Sequence, residues 1–137
     1  MTDAEIRDLL MHTRRIALVG ASNKPSRPSY GVMNFLLRQG FDVTPVNPGL
    51  AGQEILGRLV VANLEEAAPF DMVELFRNQA EVEAPVREAI RLGAKTVWMQ
   101  LGVINETAAE LAREAGLTVV MDRCPAIEMP RLGIMNG

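Results

Sequence analysis

The chain has 137 residues, a formal net charge of −3, 48% apolar and 23% charged residues, and one cysteine. That length and balance predict one domain over residues 1–137 with a core of its own, and they exclude wholesale disorder and an internal disulfide. No apolar run approaches the roughly 18 residues of a membrane span, and the acidic start Met1-Thr2-Asp3-Ala4-Glu5 is unlike a secretory leader. The expectation is a cytoplasmic protein with no membrane partner. Net acidity weighs against general nucleic-acid binding but leaves room for an anionic small molecule held by local charge.

Thr2-x-x-Glu5 is a capping box opening a helix near residues 3–13. Apolar, β-branched runs then alternate with helical stretches. Arg15 to Gly20, Asp42 to Val46, Met72 to Phe76, Lys95 to Met99 and Leu117 to Met121 read as strands buried on both faces, the pattern of a parallel sheet. Pro45 sits awkwardly in the second run and predicts an irregular or unpaired stretch there. Between the runs, Val32, Phe35 and Leu36 recur at helical spacing within residues 29–39, as do apolar positions in 84–92 and 106–115. Asn63 to Ala67 reads as a short capped helix, Leu59 to Val61 as a small edge strand, and Asn105 as an N-cap. Gly40, Gly93 and Gly116 each close a helix shortly before a strand. This cadence is that of an α/β fold, a parallel sheet with helices on both faces.

In an open parallel sheet, ligands bind beyond the carboxyl ends of the strands. Five segments fall on that rim. The first, Gly20-Ala21-Ser22-Asn23-Lys24-Pro25-Ser26-Arg27-Pro28-Ser29-Tyr30, lacks the second and third glycines of a G-x-G-x-x-G turn and is longer. It carries Lys24, Arg27 and hydroxyls ahead of a proline-started helix, which suits phosphate. The bland alternative is a long polar connection. The second strand ends in Val46-Asn47-Pro48, without the acid that a nicotinamide dinucleotide site places about 20 residues past the glycines; Asp42 stands at the strand's start. The Asn47-Pro48-Gly49 turn either lines a pocket or is simple turn chemistry. Arg77 suits a phosphate or a surface ion pair with Glu74, Glu81 or Asp71. Gln100 suits an amide or base edge, or a local turn cap. Trp98 and Met99 read as core. Cys124 has no histidine partner, since the single histidine, His12, precedes the sheet; it reads as a partly buried thiol rather than a nucleophile. No zinc spacing, nucleophile elbow or P-loop is present, and no catalytic residue is assigned.

Ile16-Ala17-Leu18-Val19-Gly20-Ala21-Ser22, Pro25 to Tyr30, Pro45-Val46-Asn47-Pro48, Phe76-Arg77, Val97 to Gly102 and Asp122-Arg123-Cys124-Pro125 together resemble the small bacterial and archaeal coenzyme A-binding proteins. The motifs come in the family's order and cover almost the whole chain. The family is similar, at single-domain size, to the coenzyme A-binding domain of succinyl-CoA synthetase α subunits. The resemblance implies a three-layer Rossmann-like sheet of order 3-2-1-4-5-6, with the third strand near residues 59–61. It implies that the loop backbone at Ala21, Ser22, Asn23 and Lys24 holds coenzyme A or an acyl-CoA; with the residue reading, Gly20 to Arg27 hold the pyrophosphate, helped by the helix start at Ser29 and Tyr30. Asn47, Pro48, Phe76, Arg77, Met99, Gln100 and Leu101 would line the cleft, with Cys124 near the acyl end. The synthetase's later domain and its phosphorylated histidine have no counterpart here, so its ligase reaction is not carried over. The expectation is a coenzyme A-binding protein without catalysis of its own. The alternatives are a nicotinamide-dependent oxidoreductase domain and a scaffold or regulatory protein that binds no nucleotide. A protein partner or a homo-oligomer stays open.

Overall fold

The structure, a computed structural model, describes residues 1–135. Helix α1 (Asp3–Met11) opens on the capping box: Thr2 Oγ1 accepts from the Glu5 amide at 3.2 Å and lies 3.1 Å from the Glu5 carboxylate. Strand β1 (Arg15–Val19) leads through the long loop to α2 (Pro28–Arg38) and β2 (Asp42–Val46). A single 3₁₀ turn at Pro48–Leu50 precedes a small antiparallel hairpin, β3 (Glu54–Ile55) and β4 (Arg58–Leu59). Helix α3 (Leu64–Ala67), capped by Asn63, and strand β5 (Met72–Leu75) follow. The chain continues through α4 (Glu83–Arg91), β6 (Thr96–Met99), α5 (Glu106–Glu114), β7 (Thr118–Val120) and α6 (Pro125–Arg131). The last helix was not read from the sequence. Its ends are tied by Glu128, which receives Arg123 and Arg131, while Arg131 also reaches Asp3 of α1 at 2.9 Å.

The main sheet is parallel, five strands in the order β2-β1-β5-β6-β7. The α/β class and the layering are as expected; the six-strand order is not. The chain expected as an edge strand at residues 59–61 contributes only one parallel bridge, Val46 to Val61. The reason lies in Pro45. Its carbonyl faces the outer edge and accepts from the Val61 amide at 3.0 Å, so its missing N–H faces the same way, and a neighbouring strand would find no donor there. Inward, β2 is regular, pairing residue for residue with β1 from Asp42 to Val46, so the irregularity expected of Pro45 falls on the outer edge alone.

Alternating side chains divide the core in two. Ile16, Leu18, Met72, Trp98 and Val120 meet α1, α2 and α6 through Ile6, Val32, Met33, Leu36 and Met129. On the other face Ala17, Val19, Val73, Leu75, Val97 and Met99 meet α3, α4 and α5 through Leu64, Val86, Ala89, Ala108 and Ala112. Gly40, Gly93 and Gly116 all have positive φ, at 93°, 85° and 89°, the left-handed turn that returns each helix to the next strand. Among the described residues no helix is long and apolar enough to cross a membrane.

Candidate functional site

The carboxyl ends of β1, β2, β5 and β6 surround a cavity of about 750 Å³. Gly20 makes this convergence possible. Its φ is +86°, and a Cβ there would lie 1.9 Å from the Phe76 carbonyl oxygen. Only glycine lets the end of β1 press against the end of β5. The amides of Gly20 and Ala21 both donate to the Val46 carbonyl, at 3.1 and 3.3 Å. These two amides therefore stitch the loop to β2 and are not open to a phosphate.

Free donors begin one residue later. Among the described residues the amides of Ser22 and Asn23 have no partner, while that of Lys24 turns back to Ser22 Oγ at 3.1 Å. Helix α2 starts at Pro28 with no side-chain cap on its first turn, and Pro28 and Ser29 line the cavity. The Tyr30 and Gly31 amides donate to the Arg27 carbonyl and Pro28 has no N–H, so among the described residues the Ser29 amide is the open donor of the first turn, and with the positive end of the helix it faces the same space as the loop. Lys24 and Arg27 line it too, and neither side chain makes an ion pair or hydrogen bond among the described residues. Arg77, the third cation, carries the surface ion pair weighed above: its guanidinium is 3.2 Å from Glu81. The cavity lining contains no Asp or Glu. A chain of net charge −3 thus gathers three cations and no carboxylate in the lining of this cavity, with Glu81 just outside it on Arg77.

Asn47 both lines the cavity and does turn chemistry. Its Nδ2 donates to the Ala21 carbonyl at 2.8 Å, and its Oδ1 accepts from the Gly49 amide at 2.8 Å. It clamps the first loop to the second. Phe76, Gln100 and Leu101 line the cavity as expected. Pro48 does not; it lines a neighbouring cleft of about 440 Å³ on the other side of the rim, which shares Gly20, Asn47 and Arg77. Three further expected residues stand away from the lining. Met99 is 0% exposed, because alternation along β6 sends it to the opposite face from Gln100. Tyr30 packs sideways on the first core cluster. Cys124 is buried in that cluster at the start of α6. Leu50, Asn78 and Val103 were not singled out from the sequence, yet they line the cavity. Each stands within three residues of one that was; the loops' curvature, invisible in a linear pattern, brings them round.

Other sites fit less chemistry. Asp42 pairs with Arg58 at 2.6 Å at the far edge of the sheet, which confirms its distance from any ribose on this rim. His12 caps α1 on Asp8 at the same far edge. No group of three metal-ligating side chains occurs among the described residues. Glu74 is unexpected: it is 0% exposed in the middle of β5, and neither carboxylate oxygen has a partner among the described residues. Burial pushes its pKa well above the usual carboxylate range, and the nearby Cys124 thiol adds to the shift. The strand pattern places it in a run buried on both faces, whereas the surface ion pair with Arg77 suggested for it goes to Glu81 instead.

Residues 14–130 match the profile of the CoA binding domain, a span that takes in every rim loop. The chain belongs to this family. A relative of Bacillus subtilis (strain 168), the uncharacterized protein YneT, is 37% identical over 122 residues, covering 88% of this chain and 89% of its own. Among solved structures, a PH1109 protein redesigned for binding is 41% identical with a TM-score of 0.93, over 99% of this chain and 95% of that one. A Thermus thermophilus protein, cell-free ID.343, is 37% identical with a TM-score of 0.91, over 96% of this chain and 99% of that one. A more distant likeness, RSP in complex with β-NADH, is 17% identical with a TM-score of 0.58, over 86% of this chain and 60% of that one, and shares the fold alone. Membership of the CoA-binding family and a cationic rim cavity now stand side by side.

Proposed function

We propose that this protein binds coenzyme A or an acyl-CoA through its phosphates at the carboxyl rim of the sheet, and that it acts by binding rather than by catalysis. The observation that carries this reading is the charge of the cavity: Lys24, Arg27 and Arg77 with no acid among its lining residues. The free amides of Ser22 and Asn23 and the uncapped start of α2 supply directional donors for phosphate oxygens. Lys24 and Arg27 supply charge, and Arg77 exchanges Glu81 for a phosphate. Phe76, Leu101 and Val103 offer apolar surface to the adenine or the pantetheine arm. The family membership supports coenzyme A over other nucleotides. The absence of an acid at the end of β2, where Val46 runs into Asn47 and Pro48, weighs against a nicotinamide dinucleotide.

Thermal unfolding with coenzyme A, acetyl-CoA, NAD or NADP tests the reading. A ligand at about 100 times its Kd stabilises by roughly 2.7 kcal/mol, a shift of several degrees in a domain of this size. A shift with coenzyme A or acetyl-CoA alone supports it. A shift with NAD or NADP alone transfers the site to a nicotinamide cofactor, and no shift with any ligand leaves a scaffold.

A further inference from the structure

Among the described residues three buried side-chain oxygens have no hydrogen-bond partner: Gln100 Oε1 and both carboxyl oxygens of Glu74. Gln100 belongs to the wall of the cavity. Glu74 belongs to no site, and an unpaired carboxyl that is 0% exposed costs stability. Such costs cluster at functional sites. Its surroundings hold one nucleophile. Glu74 is the cross-strand neighbour of Trp98 and shares its face of the sheet. Trp98 Nε1 donates to the Arg123 carbonyl at 2.8 Å, the Arg123 amide donates to the Met99 carbonyl at 3.4 Å, and Asp122 accepts from the Gly102 amide at 2.7 Å. These three bonds bolt the segment after β7 to the end of β6 and set the next residue, Cys124, into the Trp98 cluster on that same face. Cys124 is the single cysteine of the chain, and its thiol is close enough to add to the upward shift of Glu74. A thiol attacks as its thiolate and needs a base to take the proton. Histidine is not available to this one; packing brings it a carboxyl, which burial makes a stronger base than an ordinary carboxylate. Ala21 and Phe76 line the cavity and pack in the cluster that holds Cys124, so the pair stands behind the cavity wall. Lys24 and Arg27 gather charge on the first loop, and the apolar lining of Leu101 and Val103 leads from there toward the ends of β6 and its neighbour β7.

We propose that Glu74 and Cys124 act together, as proton acceptor and nucleophile, to take the acyl group of a bound acyl thioester onto the Cys124 sulfur. This rests on the function proposed above, which brings an acyl-CoA to the cavity. Ionised Glu74 takes the Cys124 proton as Sγ attacks the thioester carbonyl and a sulfur–carbon bond forms. The tetrahedral intermediate collapses with rupture of the bond to the coenzyme A sulfur, which leaves with the proton held by Glu74. One thioester is exchanged for another, so no oxidant, reductant or further reactant enters, and Glu74 ends as it began. The step is stoichiometric, one acyl group per chain, and makes the protein an acyl acceptor rather than an enzyme that turns over.

The test incubates the unaltered protein, Cys124→Ala and Glu74→Gln with acetyl-CoA and follows intact mass over time, while calorimetry measures the affinity of each for coenzyme A. The unaltered protein is expected to gain the mass of one acetyl group, located on Cys124 by peptide mapping and released by neutral hydroxylamine, as a thioester is. Cys124→Ala gains none. Glu74→Gln gains it at least roughly 100-fold more slowly with coenzyme A affinity unchanged, a split that a purely structural Glu74 does not produce. Glu74→Asp, which restores a carboxyl, reacts faster than the glutamine variant. Should the glutamine variant not fold, Glu74→Leu takes its place with the same expectation. Binding of coenzyme A without an adduct, an adduct that persists in Cys124→Ala, or equal rates for the unaltered protein and Glu74→Gln overturns the pair while leaving the proposed function standing. Failure of the unaltered protein to bind either coenzyme A or acetyl-CoA overturns both.

Discussion

Glu74 makes the stability of this protein fall as pH rises, against the usual direction for a carboxylate. It lies in register between Leu18 of β1 and Trp98 of β6, fully buried with both oxygens unpartnered. Burial raises its folded pKa well above 4.5, while in the unfolded chain it ionises near that ordinary value. Between the two values the native state holds one proton more than the unfolded state. The penalty from Glu74 is therefore absent below about pH 4.5 and grows above it by up to about 1.4 kcal/mol per pH unit until the folded pKa is reached. From pH 5 to pH 7 the decline amounts to at most roughly 2.7 kcal/mol, a large part of a small domain's stability. Glu74→Gln keeps the shape and does not titrate, so its stability relative to the unaltered protein should climb across that interval. Glu74→Leu also removes the orphaned oxygens and should add about 1–3 kcal/mol at pH 5, a gain that widens toward pH 8 as the unaltered protein loses stability. Urea unfolding of the three proteins at half-unit steps from pH 5 to pH 8 reads these differences directly. The carboxylates held low by neighbours, Asp3, Asp71, Glu88 and Glu128, act below this interval and are common to all three proteins. Parallel pH profiles for the unaltered protein and Glu74→Gln, or a leucine variant less stable at pH 7, would refute the reasoning.

Gly20→Ala places a methyl 1.9 Å from the Phe76 carbonyl at a φ of +86°; a loss of more than about 2 kcal/mol is expected in urea unfolding, with coenzyme A binding impaired because the two rim segments must part. Asn47→Ala removes the clamp between the Ala21 carbonyl and the Gly49 amide and should cost about 1–2 kcal/mol, again with weaker binding by calorimetry. Lys24→Ala and Arg27→Ala, whose side chains are exposed and without partners among the described residues, should each weaken coenzyme A about tenfold and flatten its salt dependence, while leaving the unliganded melting temperature within a degree or two. Glu128 is held ionised chiefly by its hydrogen bond from Arg131, with Arg123 adding to it. Its contribution should be present above about pH 4.5 and fade as pH falls below that, so Glu128→Gln should lose stability at pH 7 and little at pH 3 in the same urea assay.

Much of the architecture was legible because it is written in short-range chemistry. Strand runs buried on both faces, the Thr2 box, the Asn63 and Asn105 caps and the glycine returns at 40, 93 and 116 depend on neighbours a few residues apart, and each stands where the pattern places it. The rim position of Lys24, Arg27, Arg77 and Gln100 was readable for the same reason: each follows a strand, and strand ends in a parallel sheet share a rim. What only tertiary structure decided involves partners far apart in the chain. Whether residues 59–61 add a full strand depended on which way Pro45 faces. Whether the Gly20 and Ala21 amides are free depended on the Val46 carbonyl across the sheet. The solitude of the Glu74 carboxyl and of Gln100 Oε1 and the turning of Met99 to the far face depend on three-dimensional neighbours that no local periodicity encodes. Spacing along a chain reports which groups share an element; hydrogen-bond satisfaction and desolvation are properties of the space those elements enclose.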